Sequence, residues 1–79
     1  MNQSSELRAW GKQLRALRVA KGLTQMDICK ATDAAPAAVY RWEAGKVRPQ
    51  ARFVRKLREL FPELPSPAGD AERSDSDAA

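Results

Sequence analysis

The chain has 79 residues, which allows one small domain with a marginal core. It has one cysteine and no histidine, so an internal disulfide is excluded and a metal site would lack its usual ligands. No apolar run approaches the ~20 residues of a membrane span, and residues 1–10 lack the basic start and apolar core of a signal peptide, so a soluble, cytoplasmic protein is expected.

The net charge of +4 is unevenly spread. Residues 1–61 carry 13 Lys/Arg against 5 Asp/Glu, and residues 62–79 carry one Arg against five acids. A basic domain followed by an acidic tail points to a polyanionic partner, with nucleic acid first. The plain alternative is a solvated surface that happens to be basic.

A first helix is expected from about Ser5 to Lys21, capped by Ser4 or Ser5. Leu7, Trp10, Leu14 and Leu17 recur at spacings of three and four, so they share one face. Gly11 weakens this helix by about 1 kcal/mol relative to Ala, which is understandable if Trp10 or another helix must pack closely there. Gly22 ends the pattern. Thr24 is an N-cap residue with Asp27 at the capping-box position, so a short second helix runs from about Gln25 to Ala31. It turns Ile28 and Cys29 inward and leaves Met26 partly exposed.

Thr32-Asp33-Ala34 interrupts the pattern. Pro36 has no N–H to donate and is tolerated only in a first helical turn, so a third helix starts there and runs to about Glu43, closed by Gly45. Val39 and Trp42 face the core, which leaves Ala35, Pro36, Ala37, Tyr40 and Arg41 nearer the outside. Lys46-Val47-Arg48-Pro49 is a basic loop. A fourth helix spans about Gln50 to Phe61, with Phe53, Val54, Leu57, Leu60 and Phe61 as its apolar stripe and Arg52, Arg55, Lys56 and Arg58 on its wet side. Pro62 stops it. Leu64 can dock on the core. The domain therefore covers residues 1–65, and the Pro-, Ser- and acid-rich residues 66–79 form an expected disordered acidic tail.

Nothing here suggests catalysis. Cys29 reads as a small core residue, and the glycines at 11, 22, 45 and 69 are too widely spaced for a phosphate-binding loop. No catalytic residue, metal or cofactor is expected, and the chain does not read as an enzyme.

Three spaced segments carry a resemblance: Leu14-Arg15-x-Leu17-Arg18, Gly22-Leu23-Thr24-Gln25, and Val39-x-x-Trp42-Glu43-x-Gly45-x-x-x-Pro49. Over about residues 6 to 61 the chain resembles the Cro/phage-repressor (xenobiotic-response-element) type of helix-turn-helix. The resemblance implies a compact all-α bundle of four or five helices. Helix three would lie in the major groove of double-stranded DNA, with helix two across the phosphate backbone. It also implies a sequence-specific transcriptional regulator, a repressor that binds an inverted repeat as a homodimer.

Carried over residue by residue, Arg41 matches a position that reaches base edges, and its planar fork suits guanine O6 and N7. Tyr40, Ala37 and Pro36 are further base-contact candidates. Thr24, Gln25, Lys46, Arg48 and Arg52 are the phosphate-contact candidates. Gln25 would also brace helix three, and Arg18 and Glu43 match a structural ion pair.

Four departures from the pattern stand out. Asp33 replaces a usual glycine, and Ala35 a usual capping residue. The outward face of helix three offers few polar side chains besides Tyr40 and Arg41, so methyl contacts to thymine and DNA shape would share the readout. Pro62, Pro65 and Pro67 fall where a fifth helix would lie, so a dimer would need Trp10, Leu60, Phe61 or Leu64. The alternative function is a protein-interaction module, such as an antitoxin-like or adaptor subunit with weak DNA binding, which meets a protein partner through the tail or the Trp10 surface. A nonspecific architectural DNA binder is a third reading.

Overall fold

Four helices follow one another in the computed structural model, which describes residues 3–67: α1 (Gln3–Ala20), α2 (Gln25–Thr32), α3 (Pro36–Ala44) and α4 (Ala51–Leu60). No strand and no fifth helix occur among the described residues. The described residues form an all-α, four-helix globule.

Helix α1 begins earlier than expected, at Gln3, so Ser4 and Ser5 lie inside its first turn instead of capping it. Serine is tolerated in an opening turn, where backbone N–H groups lack helical partners in any case, and Glu6 adds a negative charge near the positive end of the helix dipole. At the other end Gly22 donates to the Val19 carbonyl at 2.9 Å and Leu23 to that of Arg18 at 3.0 Å, which halts the helix before Lys21.

Helix α2 is set by its cap. Thr24 is extended (φ −94°, ψ 169°); its Oγ1 accepts from Asp27 N at 3.1 Å, and its own N–H donates to Asp27 Oδ2 at 2.8 Å. Both halves of a capping box are therefore made. The helix runs one residue past Ala31, because the buried Thr32 hydroxyl finds an acceptor in the Ile28 carbonyl at 2.7 Å. Asp33 then enters the left-handed region at φ 65°, and its N–H returns to the Cys29 carbonyl at 2.7 Å. Aspartate tolerates that conformation better than most residues, so the turn forms without glycine.

Helix α3 opens on Pro36 with no side-chain cap from Ala35. It closes on Gly45 at φ 74°, where a Cβ would sit 2.5 Å from the Cα of Arg8. This position needs glycine twice over, for its backbone angle and for the close passage of α1. Gly11 answers the same need from the other side. A Cβ there would lie 2.5 Å from the Trp42 carbonyl oxygen and 2.6 Å from that of Glu43. The two glycines let α1 and α3 approach nearly backbone to backbone.

The core is built from one face of each helix. Trp10, Leu14, Ile28, Cys29, Val39, Trp42, Val54 and Leu57 are all buried. Trp42 and Phe53 pack with ring centroids 5.3 Å apart at 45°, an arrangement aromatic rings favour. Met26 is 51% exposed, off the apolar stripe.

Beyond α4 the chain forms a non-helical strap. Pro62, Pro65 and Pro67 deny it helical hydrogen bonds, yet it closes the core: Phe61 and Leu64 are fully buried. Trp10 Nε1 donates to the Pro65 carbonyl at 2.6 Å across 55 residues. Lys21 Nζ donates to the Leu60 carbonyl at 3.1 Å and lies 5.5 Å from the Phe61 ring centre, so the end of α1 grips the end of α4. This arrangement corrects one expectation. Trp10, Phe61 and Leu64 were candidates for a dimer contact, but all three are sealed within the monomer, and only Leu60 of the four remains half-exposed. The Trp10 surface expected for a protein partner is covered in the same way. The expected acidic tail, 66–79, lies outside the described residues except for Ser66 and Pro67.

Candidate nucleic-acid interface

Asp33, Ala34 and Ala35 separate α2 from α3, a turn length that fits two helices packed at a steep angle. What holds α3 in place is a polar knot under its C-terminal half. Arg18 of α1 donates through Nε to Glu43 Oε2 at 2.6 Å and through Nη2 to Glu43 Oε1 at 3.1 Å. Its Nη1 donates to the Leu23 carbonyl at 2.9 Å. Gln25, the first residue of α2, donates through Nε2 to Glu43 Oε1 at 3.1 Å. The knot therefore joins α1, α2 and α3 through one carboxylate. The Arg18 and Glu43 side chains are 12% and 5% exposed, so the fork–carboxylate pairing is shielded from water. The bonded Glu43 carboxylate holds the Arg18 proton above its ordinary range.

With Val39 and Trp42 buried, the opposite face of α3 is fixed outward. Pro36, Ala37, Tyr40 and Arg41 are all exposed there, Tyr40 by 58%. Among the described residues, no side-chain hydrogen bond or ion pair engages Tyr40 or Arg41. The face thus offers one guanidinium fork, one phenol and a patch of small apolar groups.

The phosphate-contact candidates divide by how far their polar atoms are already engaged. Thr24 uses its hydroxyl oxygen as the α2 cap, which leaves only its O–H hydrogen to give. Gln25 uses one amide hydrogen on Glu43 and keeps the other. Lys46 is exposed in the loop after α3, while Arg48 is half-buried and has a partner inside the molecule. Arg52 is exposed, with its guanidinium carbon 4.7 Å from the Phe53 ring centre, so stacking steadies it without using its N–H donors.

One further residue belongs with this set. Arg15, which enters the sequence reading only within the segment Leu14-Arg15-x-Leu17-Arg18, lines a hollow of about 400 Å³ with Arg18, Gln25, Tyr40, Glu43 and Ala44. The available signal was its i, i+3 spacing from Arg18, which puts both on the side of α1 that faces α3. Among the described residues, no group of three or more His, Cys, Asp or Glu could hold a metal ion, and no helix is long and apolar enough to cross a membrane.

Two short helices, a tight left-handed turn and an outward face on the second helix that carries one arginine and one tyrosine define a helix-turn-helix unit. A family described as a helix-turn-helix domain matches residues 9–61, most of the chain. The chain belongs to this family, one of the Cro-like (xenobiotic-response-element) group, whose domains bind DNA. No curated protein and no solved structure gives a significant match.

Proposed function

We propose that the protein is a sequence-specific DNA-binding transcriptional regulator, acting in the cytoplasm as a repressor, that lays α3 in the major groove. One observation carries the reading: Arg41 stands outward and unengaged on a helix whose other side is locked by the Arg18–Glu43–Gln25 knot. A reading helix has to be rigid, since a base contact misplaced by an ångström loses its geometry. Arg41 takes guanine in the groove. Ala37 and Pro36 sit against neighbouring base edges, and Tyr40 lies at the border between bases and backbone. Thr24, Gln25, Lys46, Arg48 and Arg52 follow the phosphates, which fix register without reading sequence.

The family's DNA-binding character favours an inverted-repeat target bound by two copies. The burial of Trp10, Phe61 and Leu64 leaves Leu60 as the one expected residue still open to a contact between copies. A protein-interaction role, antitoxin-like or as an adaptor, loses the Trp10 surface for the same reason and retains only the acidic tail as its arm.

The experiment is fluorescence anisotropy with two duplexes, one from upstream of the protein's own gene and one scrambled, for the wild type and Arg41→Ala. Preference for the upstream duplex by about a thousandfold or more, erased by Arg41→Ala, is the expected result. Equal and steeply salt-dependent binding to both would replace this reading with a phosphate binder indifferent to these sequences.

A further inference from the structure

The hollow beside the outward face of α3 has an unbalanced charge. Both oxygens of Glu43 are engaged: Oε2 accepts from Arg18 Nε at 2.6 Å, and Oε1 accepts from Arg18 Nη2 and Gln25 Nε2, each at 3.1 Å. Arg18 thus neutralises Glu43. Arg15 is exposed at the rim, and among the described residues no side-chain hydrogen bond or ion pair engages it. One positive charge is therefore left over. Tyr40 and Gln25 line the same space, and each carries a neutral donor, a hydroxyl and a second amide hydrogen. A fork-shaped cation flanked by neutral donors suits a singly charged tetrahedral oxyanion. A volume of about 400 Å³ gives such a group ample room.

We propose that this hollow seats one backbone phosphate of the bound duplex, with Arg15 as its charge partner and Tyr40 as a neutral donor. The proposal deepens the reading of α3 as the groove helix and rests on it. Tyr40 belongs both to the hollow and to the outward face of α3. Successive helical residues are about 100° apart, so an Arg41 set over the bases turns Tyr40 toward the strand that borders the groove. Helix α1, which the sequence presents only as a packing element, then supplies a DNA contact. Arg15 sets affinity and register, whereas Arg41 sets sequence.

The test is salt-titrated anisotropy of the full chain with Arg15→Gln, Tyr40→Phe and Arg41→Ala. Arg15→Gln is expected to lower the slope of log K against log salt by about 0.9, equally on the upstream and scrambled duplexes. Arg41→Ala instead narrows the gap between the two duplexes. Duplexes carrying one neutral methylphosphonate locate the contact: at a single position the substitution weakens the wild type but has no further effect on Arg15→Gln. Tyr40→Phe weakens binding about fivefold, with no loss at that neutral position.

An unchanged slope for Arg15→Gln, in a protein whose circular dichroism and duplex preference are intact, overturns the phosphate seat and leaves the reading of α3 standing. Equal binding of both duplexes by the wild type overturns that reading instead, while the Arg15→Gln slope still decides the seat. A free anion is distinguished by titrating inorganic phosphate and following the Arg15 side-chain N–H resonance. A shift that persists when duplex is saturating would mean that the hollow does not meet the backbone, and would overturn the proposal.

Discussion

Arg18 and Glu43, 25 residues apart, meet at 2.6 Å with both side chains largely shielded, and their bond ties α3 to α1 beside the outward face that the burial of Val39 and Trp42 sets. Glu43→Ala would leave the Arg18 guanidinium shielded and without its carboxylate, a loss of about 3–5 kcal/mol by the usual behaviour of such pairs. Replacing both partners, Arg18→Met with Glu43→Leu, should recover most of that stability. A double-mutant cycle in urea measures it, and additive losses would show the two residues to be independent. The double variant should also bind DNA worse than its stability predicts, because Gln25 loses its acceptor as well.

Gly11→Ala separates packing from helix propensity. Alanine favours a helix by about 1 kcal/mol over glycine, yet the added Cβ would meet the backbone oxygens of Trp42 and Glu43 at 2.5 and 2.6 Å. Backbone cannot step aside as a side chain can. A net loss of about 1–3 kcal/mol is expected from overpacking, read from the urea midpoint. A stabilised variant would show that α1 and α3 are not so close.

The α2 cap gives a pH signature. The Thr24 backbone N–H, donating to Oδ2 at 2.8 Å, holds the Asp27 carboxyl below its ordinary range. Its folded-state pKa is depressed, so the unfolded chain binds the proton more readily. The stability it contributes is full above the unfolded value, about 4, and falls away as pH drops through the folded value. Thermal melts of wild type and Asp27→Asn should differ at pH 6 and converge as pH falls toward 2. A constant difference across that range would show that the charge has no part in the cap.

The strap should behave as part of the core. Leu64→Ala removes a fully buried side chain, at a cost of about 2–5 kcal/mol. A chain ending at Pro67 should melt like the full protein, whereas one ending at Phe61 should melt earlier and show red-shifted tryptophan emission as Trp10 meets water. Equal melting of both shortened chains would remove the strap from the core.

Local rules carried much of the fold. Thr24 and Asp27 announce a capping box, Pro36 marks a helix start, Gly45 marks a stop, and Val39 with Trp42 gives the inward face of α3; each depends on residues within one or two turns. Distance in sequence is what hid the rest. The Trp10–Pro65 bond joins positions 55 apart, and no periodicity encodes it. The sequence places Trp10 and Phe61 on apolar helix faces and lets Leu64 dock on the core, but with no fifth helix expected it also offers all three to a second copy; the strap is what uses them up within one chain. Arg15 escaped notice because its hollow exists only where three helices converge. Arg41 was legible because an exposed arginine on an outward helical face is defined by the spacing of its buried neighbours.

The bond between Trp10 and Pro65 also bears on how the protein is made. Helix α1 is made before the strap, so its tryptophan lacks the Pro65 acceptor until residue 65 has been added. A growing chain therefore exposes an unfinished core through nearly all of this domain's synthesis, and the last step of folding waits for the last piece of the domain. Any truncated product that stops short of that residue emerges with Trp10 bare, marked for chaperones and proteases by the side chain the finished protein hides.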